Sequence, residues 1–120
     1  MRIFKNKSFH QFARKESITD SELKEVVKLL ENEQYYADLG GFVYKMKLSA
    51  KKGKSGAYRV IVIFKSEFRT FFAYGFPKSK RDNIEDDELL GFKKQAKERL
   101  SLTEEQIEEW LKNRSLIEVK

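Results

Sequence analysis

Val43-Tyr-Lys-Met-Lys-Leu48 and Ala57-Tyr-Arg-Val-Ile-Val-Ile-Phe64 are the two runs whose reading decides the fold. Side chains alternate across a strand, so Tyr44, Met46 and Leu48 share one face of the first run and Val43, Lys45 and Lys47 the other. In the second, Tyr58, Val60, Val62 and Phe64 lie together, with Arg59, Ile61 and Ile63 opposite. If Met46 and Leu48 share a core with Val60 and Val62, antiparallel pairing puts Lys45, Lys47 and Arg59 on one common face. A slip of one residue would bury the lysines, so the parity is well determined. A third apolar run, Phe68 to Phe76, leads into Pro77-Lys-Ser-Lys-Arg81. The second and third runs are apolar on both faces, which predicts central strands covered by helices on at least one side.

Outward from these strands the signals are helical. Phe9, Phe12 and Ala13 recur at helical spacing and predict a first helix of two to three turns. Thr19-Asp-Ser-Glu22 is a capping box, and Leu23, Val26, Val27 and Leu30 follow at i, i+3, i+4 and i+7, predicting a helix over 20–32. Asp38-Leu-Gly-Gly41 reads as a turn, because paired glycines favour one. Beyond Arg81, Asp86-Asp-Glu-Leu places acids where a helix dipole favours them, with Leu89, Phe92, Ala96 and Leu100 as the apolar stripe. Thr103-Glu-Glu-Gln106 is a second capping box, opening a helix that presents Ile107, Trp110 and Leu111. That stripe reads as core rather than interface. Met1 to Lys5 is expected to form a short edge strand, and Ser115 to Val119 a short final one. The expected architecture is a single α+β domain over 1–120: two helices, a three-stranded antiparallel meander, then two helices.

Charge is distributed unevenly. The 120 residues carry a net +6. Between Val43 and Arg81 there are eleven basic residues against one acid, Glu67, whereas 1–42 balance and 82–120 come to −4. The excess therefore sits in the strand-rich middle, which predicts a polyanionic partner. No apolar stretch approaches the roughly 18 residues of a membrane span. The first residues lack a signal peptide's apolar run, so a cytoplasmic location is expected. The absence of cysteine rules out disulfides, thiolate nucleophiles and cysteine zinc sites.

The remaining chemistry is narrow. His10 is the sole histidine and reads as a packing or surface residue, so a two-histidine acid–base pair is not available in one chain. Asp86, Asp87 and Glu88 are explained by a helix N-terminus without a metal. Gly53-Lys-Ser-Gly56 lacks the spacing of a phosphate-binding P-loop. Neither a metal nor a cofactor is expected. What is left is a cationic face beside aromatic residues, and the plainest reading of that is affinity for nucleic acid without catalysis. A sharper reading rests on the grouping of Lys45, Lys47 and Arg59 on neighbouring strands, and on the cations that follow Pro77. RNA can be cut with its own 2′-hydroxyl as nucleophile. That requires removal of the 2′ proton, stabilisation of the phosphorane and protonation of the leaving 5′-oxygen. Arginine suits the second task through its planar fork of donors, and a lysine crowded by cations suits the first.

Ala37-Asp-Leu-Gly-Gly, Tyr44-Lys-Met-Lys-Leu48, Gly53-Lys-Ser-Gly-Ala-Tyr-Arg59 and Phe71-Phe-Ala-Tyr-Gly-Phe-Pro-Lys-Ser-Lys-Arg81 together resemble the RelE/ParE superfamily of bacterial toxins, and within it the HigB-like RelE toxins. The resemblance covers nearly the whole chain. It implies a small antiparallel sheet with packed helices and a type II toxin that cleaves messenger RNA in the ribosomal A site. It also implies a cognate antitoxin, placed here on the basic face or its rim. By the same resemblance Lys45, Lys47 and Arg59 are catalytic, with Lys80 or Arg81 supplying a further cation. Lys51, Lys52, Lys54 and Lys78 would bind RNA, and Tyr74 and Phe76 would stack on a base. RelE proper uses a tyrosine where this chain has Ile84-Glu85, so general base and acid stay unassigned. Two rivals remain at this point: a noncatalytic RNA-binding module and a ParE-like gyrase poison.

Overall fold

The computed structural model describes residues 1–49 and 57–120. Its centre is the strand Ala57–Lys65 (β4), buried at every position but its two ends. Before it come Arg2–Asn6 (β1), the helices Lys7–Lys15 (α1) and Asp20–Glu31 (α2), and the hairpin Ala37–Gly40 (β2) with Val43–Ser49 (β3). After it come Arg69–Pro77 (β5), the helices Asp86–Leu100 (α3) and Glu104–Lys112 (α4), and Leu116–Glu118 (β6). The six strands form one mostly antiparallel sheet in the order β2-β3-β4-β5-β1-β6.

Helices cover both faces of this sheet, and the alternation of β4 feeds two cores. Val60, Val62 and Phe64 pack with Phe9, Leu23, Val26, Val27 and Leu30 from α1 and α2. Ile61 and Ile63 pack with Phe4, Phe71, Ala96, Ile107 and Leu116 on the side of α3 and α4. Both capping boxes form as read. The Thr19 hydroxyl accepts from the Glu22 amide at 3.2 Å, and that of Thr103 accepts from the Gln106 amide at 3.1 Å.

Three expectations need correction. The first strand is not at the sheet edge, because β1 runs parallel to β5 on one side and antiparallel to β6 on the other. Its polar residues are paired. Arg2 binds Glu118, Glu104 and Glu108, and buried Lys5 binds Asp20 at 3.1 Å. The meander is consequently the middle of a six-stranded sheet rather than the whole of one. Asp38, Leu39 and Gly40 lie in β2, and the turn is made by Gly41 and Phe42, with positive φ at Gly40, Gly41 and Phe42.

β5 is interrupted by a bulge. Ile61 pairs with Tyr74 and Val62 with Phe72, so Ala73 is the extra residue. A bulge places two consecutive side chains on the same side and inverts the alternation beyond it. Phe72 belongs to the α1–α2 core, while Ala73, Tyr74 and Phe76 all lie with the other one. Gly75 then turns toward α1, where a Cβ would come within 2.4 Å of the Phe12 ring.

Candidate functional site

The register of β3 on β4 sets Lys47 directly opposite Arg59 and Lys45 opposite Ile61. The three cations read from alternation therefore share one face, the one on which Ile61 and Ile63 meet the α3–α4 core. Their environments differ. Lys47 is exposed, Lys45 is 8% exposed and Arg59 only 2%.

Arg59 is the anomaly of the molecule. Among the described residues, its one hydrogen bond runs from Nη1 to the Tyr58 carbonyl at 3.5 Å, a marginal length, and its buried Nε has no partner. No carboxylate among those residues neutralises it. A guanidinium withdrawn from water in this way costs several kcal/mol unless something pairs with it. The compensation visible here is aromatic: the Tyr36 ring lies 4.7 Å from Arg59 Cζ and 5.3 Å from Lys45 Nζ. Tyr36 is held there by its backbone amide, which donates to the Lys45 carbonyl at 3.1 Å, and the residue stays 56% exposed.

The second half of the site comes from β5 and the segment after it. Beyond the bulge, Tyr74 and Phe76 form an aromatic step with ring centroids 5.5 Å apart, and Phe76 sits opposite Arg59 in the register. Arg81 folds back over this step, 5.3 Å from the Phe76 ring and 6.0 Å from that of Tyr74. Its Nη1 donates to the Tyr74 hydroxyl at 3.3 Å and to Glu88 at 3.1 Å, its Nη2 to Glu88 at 2.5 Å, and its Nε to the Asn83 carbonyl at 2.9 Å. The Asn83 side chain accepts from Lys45 Nζ at 3.1 Å, so this residue ties the β3 lysine to the loop that carries Arg81. Those bonds to Glu88 and then Tyr74 raise the Arg81 pKa further, and the same guanidinium holds the Glu88 carboxyl below its ordinary range.

The structure thus brings together Lys45, Lys47, Arg59, Tyr74, Phe76 and Arg81. Lys78 and Lys80 stand exposed on the turn between β5 and Arg81, without a side-chain contact to the group. Lys51, Lys52 and Lys54 lie outside the described residues. Phe76 is buried, so Tyr74 is the more open of the two rings. His10 is set apart: its electrostatic neighbours are Lys5, Arg14, Arg114 and Asp20, and burial followed by those cations lowers its pKa. Tyr36, Asn83 and Glu88 had no functional reading in the sequence. Nothing local singled out Tyr36, which precedes the lysine-free β2, and the signal for Glu88 was its place three residues after the N-cap of α3.

Over residues 1–119 the chain matches the family model described as the RelE toxin of the RelE/RelB toxin–antitoxin system. It belongs to the RelE toxin family, whose members are the toxin half of such a pair. No curated protein and no solved structure gave a significant match.

Proposed function

We propose that this toxin is an endoribonuclease that cuts messenger RNA in the ribosomal A site without a metal. The observation that carries the reading is the Arg59 guanidinium, buried and almost free of partners among the described residues beneath Tyr36, with Lys47 across the strand pair. Such a group is already desolvated and oriented, so a phosphate that reaches it gains charge-assisted hydrogen bonds without first displacing protein partners. The 2′-oxygen attacks the adjacent phosphorus, the bond to the 5′-oxygen breaks, and a 2′,3′-cyclic phosphate and a 5′-hydroxyl result. Arg59 stabilises the phosphorane, and the proton transfers fall to Lys45 and Lys47, the other cations of that face. Nothing in this arrangement forces the 2′-oxygen, phosphorus and 5′-oxygen into line, which is why the ribosome is assigned the task of holding the message.

The test is cleavage of message on programmed ribosomes, read by primer extension, beside the same message free in solution. Efficient cutting only on ribosomes, persisting in chelator at levels that leave ribosomes intact, is the expected outcome. Equal cutting of free RNA would overturn the ribosome dependence, and arrest without cutting would favour a noncatalytic binder. In the same reading the antitoxin approaches this basic face with acidic residues, so its association should weaken steeply with salt.

A further inference from the structure

Arg81 uses four of its five N–H groups on protein acceptors: one on the Asn83 carbonyl, one on the Tyr74 hydroxyl and two on the Glu88 carboxylate. It therefore has no fork to offer a phosphate as it stands. The Arg59 fork makes one marginal bond among the described residues. The anion that fills the Arg81 fork comes from the protein itself. Glu88 presents two oxygens, 3.1 and 2.5 Å from the two terminal nitrogens, which is the geometry a phosphate would adopt. Both side chains are about one-third open to solvent, so the pair is reachable from outside. Glu88 is itself held from behind, because its Oε1 also accepts from the Glu85 amide at 2.7 Å at the start of α3.

We propose that Glu88 is an internal stand-in for the RNA phosphate, a positioning carboxylate that keeps Arg81 folded over Tyr74 and Phe76 until substrate displaces it. This rests on the reading of the face as RNA-directed. Arg81 is then a second anion site that opens on binding, whereas Arg59 has no carboxylate partner among the described residues at rest. Exchange costs little, because one carboxylate pairing is traded for one phosphate pairing. Asn83 joins the two halves of the site, since its backbone holds Arg81 and its side chain holds Lys45.

The probe is a single-stranded RNA oligonucleotide with 2′-O-methyl groups, which cannot be cut. Its affinity is measured against salt for the wild type, Glu88→Gln, Arg81→Gln and the double variant. Glu88→Gln keeps an oxygen for the Glu85 amide but removes the charge. It should tighten binding up to about five-fold, the scale of a part-exposed ion pair. The slope of log affinity against log salt should steepen by about 0.7, as for one more phosphate neutralised on a single strand. Both gains should vanish when Arg81 is glutamine. Asp87→Asn, an exposed neighbour on the same turn, controls for loss of a negative charge and should give a smaller gain that persists without Arg81. Weaker binding by Glu88→Gln, or a gain independent of Arg81, would overturn the proposal. A Glu88→Gln protein that binds more tightly in this way while no variant cuts on programmed ribosomes would leave the stand-in intact and overturn the nuclease reading instead.

Discussion

Arg59 and Arg69 lie on neighbouring central strands, on the same face of the sheet, and are almost equally buried at 2% and 3% exposure. They sit near opposite ends of that face, about 20 Å apart at a strand's rise per residue. Arg69 donates to the carbonyl of Leu102 at 2.6 Å, to that of Arg99 at 3.3 Å and to Glu104 at 3.0 Å. It fastens the connection between α3 and α4 to the sheet. Among the described residues, Arg59 has one hydrogen bond at 3.5 Å and a ring above it. Both leave Nε unpaired, so the difference lies in the terminal nitrogens. A buried arginine whose terminal nitrogens are all used holds the protein together. One whose terminal nitrogens make a single marginal bond among the described residues is held ready for something else.

The contrast is broken most sharply by exchanging side chains. Arg59→Lys keeps the charge and loses the fork, and single-turnover cleavage on saturating programmed ribosomes should fall by two to three decades, about 2.7–4 kcal/mol by analogy with an oxyanion donor. Cutting at the wild-type rate would remove Arg59 from the chemistry. Arg59→Met should do something different to the fold. Replacing a buried, unneutralised charge with an apolar side chain of similar length should raise stability by about 1–4 kcal/mol while abolishing cleavage, seen as a higher denaturant midpoint. The same change at Arg69 should lower stability by about 1–3 kcal/mol, because the Leu102 and Arg99 carbonyls lose their donor, and should leave cleavage by the folded fraction unaltered. If both methionine variants moved the midpoint the same way, the distinction between the two arginines would fail.

A third buried cation sharpens the comparison with the smallest effect. Lys5 is neutralised by Asp20, which also accepts from the Lys120 amide at 2.8 Å. Burial alone would raise the Asp20 pKa, but the Lys120 amide and Lys5 outweigh it and hold the carboxyl below its ordinary 3.8. A carboxyl depressed in the folded state adds stability that is present above about pH 4 and lost as pH falls through the folded value. Urea midpoints measured between pH 5 and pH 2.5 should fall less steeply for Asp20→Asn than for the wild type. No such acid dependence should trace to Arg59, which has no carboxylate partner among the described residues.

Much of this was legible from the chain. The alternation of β3 and β4 gave the register that sets Lys47 against Arg59, because a slip would have moved apolar residues out of the core. Both threonine capping boxes and the stripe of α3 are local patterns, and they formed where they were read. What escaped the reading was non-local. β1 looks like an edge strand until Glu104, Glu108 and Glu118, more than a hundred residues away, come to Arg2. Tyr36 gains its role only when the β2–β3 hairpin carries it over β4. Glu88 reads correctly as a residue of a helix start, and nothing in its neighbours in sequence shows that Arg81 will turn back to meet it.

The bulge at Ala73 gives β5 two masters. Up to Phe72 the strand answers to the paired cores, where Phe71 stacks on Phe4 with centroids 5.2 Å apart and any shift of register would be felt throughout the sheet. Past Ala73 it answers to the candidate site, where Tyr74 and Phe76 meet Arg81 and Phe76 lies opposite Arg59. One surplus residue thus acts as a gear between the two, letting the far half of the strand present a different set of side chains without asking the near half to move. A strand that kept Ala73 in plain alternation, with no bulge, would have the same composition and the same cations, yet its aromatic step would face α1, and Arg81 would have nothing beneath it.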